Sequence, residues 1–333
     1  MITVFVSHPT NKLAQYFGPR ATQALQAIAN VRFNSEARDL GADELVAALQ
    51  GCDALIAYRQ TPGPESLFQC LPGLAAFIRC AVDIRTVDVP AASRHGVLIT
   101  QASAGYVPAV AEWIVAAMID LGRGITAYAM DYRAGRPVQP FMGRELRDAT
   151  LGIIGYGQIG QYLGGLALAF GMHVLVDTPQ PVAGQPRLKQ VTRPELLASS
   201  DFVVCLAPAT PQTENLMDAQ AFAAMKPGAF FLNAARGELV DDNALLQALD
   251  SGHLAGCALD VGRAPDQMPT PELARHPLVL AAPHIGGLTQ PAIEHQALET
   301  VAQLKELIQG RIPIGAVNAP HATRLRQWKA RQS

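Results

Sequence analysis

Leu151-Gly-Ile-Ile-Gly155-Tyr-Gly157-Gln-Ile-Gly160 places a G-x-G-x-x-G at the end of a short apolar run. Residues 151–154 read as a buried strand, and Ile159, Leu163, Leu166, Ala167 and Phe170 then recur at helical spacing. The glycines therefore fall on a strand-to-helix turn. There Gly155 permits the tight turn, Gly157 lets a pyrophosphate approach the main chain, and Gly160 lets helix and strand pack closely. Open amides at the helix start, helped by the helix dipole, face the phosphates. Without its flanks the glycine pattern would be weak. With strand before and helix after, it predicts a dinucleotide site.

The next strand, His173-Val-Leu-Val176, ends in Asp177, 22 residues after Gly155. A carboxylate at that distance sits at the tip of the second strand, where it can accept both ribose hydroxyls of NAD and repel the 2′-phosphate of NADP. No arginine follows at once, the next residues being Thr178-Pro-Gln-Pro181, although Arg187 and Lys189 come later in the loop. NAD is the expected cofactor and NADP is left open. The competing reading of Asp177 is a cap of a turn or helix.

A chain of 333 residues exceeds one ordinary core, so two domains are expected. With 49% hydrophobic residues, 16% charged and a formal net charge of −2, global charge gives no reason to expect a nucleic-acid or anionic-membrane partner. The basic tail, His321-Ala-Thr-Arg324-Leu-Arg326-Gln-Trp-Lys329-Ala-Arg331, reads as a solvated or subunit-packing end. The apolar run Trp113–Ile119 stops at Asp120, short of membrane-spanning length. Met1-Ile-Thr-Val-Phe-Val-Ser7 reads as a first strand, since it lacks the charged start of a signal peptide. Five cysteines (Cys52, Cys70, Cys80, Cys205, Cys257) with no C-x-x-C pair fit neither a disulfide framework nor a zinc site. No metal is expected. Most of these thiols read as small core residues in a reducing, cytoplasmic setting.

Apolar runs at Thr3–Val6, Ala54–Ala57, Leu74–Ile78 and Val97–Ile99 alternate with helical patterns such as Ala42–Leu49, which implies right-handed crossovers and a parallel sheet. A helix over Val107–Leu121 leads to a loop around Gly135–Arg147. Beyond the dinucleotide unit, Thr192-Arg-Pro-Glu195 reads as a capping box opening the helix Pro194–Ser199. Strands follow at Asp201–Leu206, Ala229–Asn233, Gly256–Asp260 and Leu278–Ala281. A helix over Asp241–Asp250 and a final one from about Pro291 to Gln309 complete the pattern.

Three of these strands end in polar groups, where open α/β sheets present their ligand crevice. They are Asn233-Ala-Ala-Arg236-Gly237, Ala258-Leu-Asp260-Val-Gly-Arg-Ala-Pro-Asp266, and Pro283-His284-Ile-Gly286-Gly287. Hydride transfer from a 2-hydroxy acid needs groups of this kind. Arginine clamps a carboxylate bidentately without losing its proton. Histidine can take and return a hydroxyl proton near neutral pH. A nearby carboxylate would orient the imidazole.

Taken together, these segments resemble the D-2-hydroxyacid dehydrogenase family, nearly end to end. Supporting matches are Val110-Ala-Glu112, Leu206-Ala-Pro208 with Pro211-Gln-Thr213, and Arg79-Cys-Ala-Val-Asp83 ahead of Val87-Asp88. The resemblance implies two doubly wound parallel-sheet α/β domains. A Rossmann NAD domain over 103–286 would be inserted in a flavodoxin-like substrate domain over 1–102 and 287–333. It also implies a homodimer formed through the NAD domains. By position, Arg236 would bind the substrate carboxylate and His284 would be the acid/base, while the backbone of Ala81 and Val82 donates to the same carboxylate. Gln158 and Ile159 would meet the pyrophosphate, Asp260 the carboxamide, and Pro208, Thr213 and Ala234 would line the cofactor groove.

Two departures stand out. Pro265 occupies the place of the family's usual glutamate, so the adjacent Asp266 is expected to orient His284; the competing reading makes Asp266 a solvated turn residue. Asp177 falls one residue before the family's usual ribose carboxylate, where Thr178 stands. Specificity is expected from Tyr58-Arg59-Gln60, the Cys80–Asp83 loop and Ala104-Gly-Tyr106, with Arg59 or Arg85 near a second acidic group. Small 2-keto acids such as glyoxylate or hydroxypyruvate are the expected substrates. An NAD-binding, corepressor-like regulatory protein is the alternative.

Overall fold

The computed structural model describes residues 1–330. They fall into two units, residues 1–105 with those from 290 on, and residues 106–289. Each is built on one parallel sheet with helices on both faces.

The first unit holds β1 (Thr3–Val6), β2 (Asn30–Phe33), β3 (Ala54–Ala57), β4 (Ala76–Arg79) and β5 (Leu98–Gln101) in the order β2-β1-β3-β4-β5. This is the flavodoxin-like doubly wound order. Strand alternation sorts the side chains. Val4, Val6, Ala54 and Ile56 meet Ala21, Leu25, Val301 and Leu304 on one face. Phe5, Leu55 and Ala57 meet Leu45, Leu67 and Phe68 on the other. Both faces are covered, which is why these strands read as continuous apolar runs.

The second unit holds β6 (Thr150–Ile154), β7 (His173–Asp177), β8 (Leu188–Gln190), β9 (Phe202–Cys205), β10 (Ala229–Asn233), β11 (Leu254–Leu259) and β12 (Val279–Ala281). Their order is β12-β11-β10-β9-β6-β7-β8. From β6 the chain winds outward first through β7 and β8, then through β9 to β12. That is the Rossmann arrangement with one added strand, and it leaves a switch point between β6 and β9. Helices Val107–Arg123 and Gln158–Ala169 cover one face through Ile114, Met118, Leu163 and Ala167. Leu196, Phe222 and Leu245 cover the other.

Two local expectations are corrected and one helix is added. The helix Arg193–Ser199 forms, but Thr192 makes no side-chain cap. Residues 134–149 are loop, preceded by the helix Ile125–Arg133, which the sequence reading did not separate. The basic tail is not a solvated end as far as it is described. Residues Arg324–Ala330 form a helix, and Trp328 is buried in the first unit's core. The Arg324 guanidinium donates to the carbonyls of Phe68 (2.9 Å), Leu71 (2.6 Å) and Leu74 (3.0 Å). Arg331 lies outside the described residues.

Candidate active site

The three glycines of the opening motif have distinct surroundings. Gly155 is left-handed (φ 95°), and a Cβ there would stand 2.6 Å from the main chain of Leu206 and Ala207. At Gly160 a Cβ would stand 2.6 Å from the Gly155 carbonyl oxygen. Gly157 faces open space, with nothing within 4 Å of a Cβ. Two glycines thus serve close packing and the middle one keeps a bare main-chain surface. The helix Gln158–Ala169 starts directly after it, and the amides of its first turn, Gln158 and Ile159 included, have no intrahelical acceptor. A diphosphate fits this cradle on shape and on polarity.

Asp177 ends β7 beside that turn, and its carbonyl accepts the Gly155 amide at 2.9 Å. Its carboxylate is engaged by the Nε of Arg193 at 2.7 Å. Sequence reasoning missed this partner because it lies 16 residues away and beyond an intervening strand. The loop after β9 is fixed by Thr213, whose hydroxyl donates to the Pro208 carbonyl (2.7 Å) and accepts the Thr210 amide (2.8 Å). Thr213 therefore shapes this edge, while Pro208 is exposed on it and Ala234 is buried after β10.

The polar groups gather at the ends of three adjacent strands. After β10, buried Asn233 accepts the Ala235 amide (3.0 Å) and donates to the Arg236 carbonyl (2.9 Å), which sets the turn carrying Arg236. Arg236 is partly buried, with Nη1 on the Ala235 carbonyl. After β11, Asp260 is 2% exposed and accepts the amides of Ile285 and Gly286, both at 2.8 Å. Burial pushes its carboxyl above the usual carboxylate range, against the pull of those two amides and of His284. Asp260 was expected to meet a carboxamide. In the fold its oxygens brace the turn immediately after His284.

His284, three residues past β12, is left-handed at φ 55°. A non-glycine residue holds that backbone only where its surroundings over-determine it, and the Asp260 brace does so. Its Nδ1 lies 3.0 Å from the main-chain carbonyl of Asp266. A carbonyl can only accept, so Nδ1 carries the proton and Nε2 of the neutral ring is the free acceptor. The sequence pointed to the Asp266 carboxylate beside His284; the fold adds the Asp266 main-chain carbonyl as acceptor of the Nδ1 proton. Asp266 and Gln267 are both left-handed (φ 59° and 61°), which turns that carbonyl toward the ring.

Two residues that sequence reasoning did not single out hold this loop against the Arg236 segment. Arg263 donates to the Val240 carbonyl (3.0 Å), the Glu238 carbonyl (3.0 Å), Glu214 (2.9 Å) and Asn215 (2.6 Å). Gln267 Nε2 lies 3.3 Å from Glu238 Oε1. An arginine two residues past a strand-end Asp-Val is the signal that could have flagged the first.

Ala81 and Val82 lie in the first unit, after β4, and their amides donate to no other main-chain group among the described residues. In the same unit Arg79 is fully buried, with Nη2 on Thr61 O (2.8 Å) and Thr86 Oγ1 (2.7 Å) and Nη1 on Tyr58 O. Arg85 pairs with Asp83 at 2.8 Å. Among the described residues no helix is long and apolar enough to cross a membrane, and no cluster of His, Cys, Asp or Glu could hold a metal ion.

Residues 115–286 match the model of the D-isomer specific 2-hydroxyacid dehydrogenase, NAD binding domain. The chain belongs to that family, and its second unit carries the family's NAD-binding domain. It is 31% identical over 317 residues to D-3-phosphoglycerate dehydrogenase 3, chloroplastic, of Arabidopsis thaliana, covering 94% of this chain and 53% of that one. The chain thus spans about half the length of the curated relatives it matches. Among solved structures it resembles the TT0316 protein of Thermus thermophilus (TM-score 0.84, 30% identity, 95% and 100% of the two chains). It also resembles D-2-hydroxyisocaproate dehydrogenase (TM-score 0.85, 25% identity, 96% and 100%).

Proposed function

We propose that this protein transfers a hydride between NAD(H) and a small D-2-hydroxy acid or its 2-keto acid. One observation carries the reading: in the NAD-binding unit Arg236 follows β10 and His284 follows β12, with buried Asp260, just after the intervening β11, bracing the histidine turn. When bound, the nicotinamide supplies or accepts the hydride. Arg236 is the proposed clamp for the substrate carboxylate, its planar fork matching two oxygens. His284 is the proposed acid/base. With Nδ1–H held on the Asp266 carbonyl, Nε2 of the neutral ring takes the hydroxyl proton in oxidation, and in reduction the doubly protonated ring gives that proton from Nε2 to the carbonyl oxygen. The first unit's Ala81 and Val82 amides are proposed donors to a substrate carboxylate.

We further propose a homodimer, supported by exposed apolar side chains on one helix and the following loop of the second unit. Met130 and Tyr132 on the helix Ile125–Arg133 are 57% and 73% exposed, and Phe141 and Met142 in the following loop are 54% and 97% exposed. Large apolar groups exposed together mark interfaces. Unpaired cysteines, four of the five buried, support a reducing, cytoplasmic setting. The decisive measurement is NADH oxidation against glyoxylate, hydroxypyruvate, pyruvate and 3-phosphohydroxypyruvate. Turnover on any of these supports the reading. Tight NADH binding with turnover on none would move the protein to the regulatory alternative.

A further inference from the structure

The tip of β7 carries two opposite charges. Asp177 is the carboxylate a ribose would use, and Arg193 holds its Oδ2 at 2.7 Å with both side chains partly exposed (21% and 40%). Asp177 Oδ1 makes no bond of its own among the described residues, and neither do Arg193 Nη1 and Nη2. Arg193 lies over the C-terminal edge of the sheet. It is close enough to the Cys205 thiol at the end of β9 to pull its pKa down, against the burial that pushes it up to about 12. β9 and β7 flank β6, so the guanidinium sits by the strand that delivers the glycine turn.

Of the other nearby cations, one is occupied and the other starts further back along its strand. Arg187 is spent on Asp148 (3.0 Å) and the Gly171 carbonyl, and Lys189 lies back along β8, level with Leu175. The loop after β7 is fastened by Gln190, which donates to the carbonyls of Thr178 (2.7 Å) and Gln180 (3.1 Å) and accepts the Val182 amide (3.0 Å). Position and surroundings of the Asp177–Arg193 pair are therefore fixed by the fold.

A lone strand-tip carboxylate rejects NADP because it repels the 2′-phosphate. Here that charge is offset by a guanidinium whose remaining donors match a phosphate in geometry and sign. We propose that Arg193 is the cofactor-selecting residue and that it opens the adenosine end of the site to NADP(H) as well as NAD(H). Asp177 serves the ribose hydroxyls of the first through Oδ1, and Arg193 serves the phosphate of the second. This rests on the dinucleotide site proposed above.

The test is equilibrium titration of the purified chain with NADH and with NADPH, followed by nicotinamide and protein fluorescence without any substrate. For the unaltered protein the NADPH-to-NADH ratio of Kd values is expected to lie below about ten. Arg193→Gln should raise that ratio by at least about tenfold, the scale of one lost charge-assisted pair, and Arg193→Lys should raise it less. More salt should weaken NADPH more than NADH. An unaltered protein with a ratio well above ten, or a ratio that Arg193→Gln leaves in place, overturns the proposal while NADH binding keeps the NAD site intact. Binding of neither nucleotide overturns the dinucleotide site itself.

Discussion

The two units share one architectural rule and use it in opposite ways. Both are doubly wound parallel sheets whose strand order reverses once, so both offer a crevice at the C-terminal ends of their strands. In the first unit large side chains pack part of that edge, at the ends of β1 and β3. His8 follows β1 with its ring against Phe17 and Tyr58 (5.2 and 5.0 Å between centroids), and the two terminal nitrogens of Arg79 donate to the Tyr58 and Thr61 carbonyls and the Thr86 hydroxyl. In the second unit the corresponding edge is bare glycine at Gly157, with Arg236 and His284 on turns that other residues brace. Topology supplies a crevice; the residues at its lip decide whether it is filled or left for a ligand.

The sharpest way to break that contrast is at the braced turn. His284→Gln should lower turnover by roughly 10²–10⁴-fold. NADH affinity, read by fluorescence, should persist. Equal loss of both would mean that His284 is structural.

A glycine pair separates packing from ligand access. Gly155→Ala adds a side chain at positive φ into the main chain of 206–207, and should cost roughly 2–4 kcal/mol in a urea titration. Gly157→Val, at a φ of −78° and in open space, should leave stability nearly unchanged and abolish NADH binding. If both variants behave alike, the middle glycine is not the phosphate surface.

The filled crevice makes its own prediction. Burial, with the nearby Arg79 charge, lowers the His8 pKa from 6.5 to about 3. Between those values the unfolded chain binds a proton that the folded chain refuses, so stability is full above pH 6.5 and falls as pH drops through that window. His8→Phe removes this term. Its denaturation midpoint should match or exceed that of the unaltered protein at pH 7, and the gap should widen in its favour at pH 4. A constant gap would show that His8 is not the group responsible.

The smallest expected effect is at Thr213→Val, which releases the Pro208 carbonyl and the Thr210 amide. NADH affinity should fall by less than about tenfold, with about 1 kcal/mol of stability lost.

Much of this was legible in the sequence because it is local. The strand β10 and the glycine turn were read directly, since an apolar run, a breaker and a helical period lie within a few residues of one another. The strands that escaped notice are edges. Asn30-Val-Arg-Phe33 and Leu188-Lys-Gln190 are short and half polar because one side has no neighbour to demand apolar residues. The helix Ile125–Arg133 was missed because it has no fully buried residue, so it lacks the period a core imposes. At the site the residue types were readable and their partners were not. The Asp177–Arg193 pair spans a strand, and a main-chain carbonyl such as that of Asp266 leaves no mark in the residue sequence at all.

The first unit is interrupted, and that bears on how the chain is made. Its core needs Ala297, Val301, Leu304 and Trp328 to cover Val4, Val6 and Ile56. Those residues leave the ribosome only after all of 106–289 has emerged. During synthesis the five-stranded sheet must wait with one apolar face only partly covered while the later-made Rossmann unit can already close on itself. The nascent chain is therefore most exposed to chaperone capture and aggregation at the segment translated first.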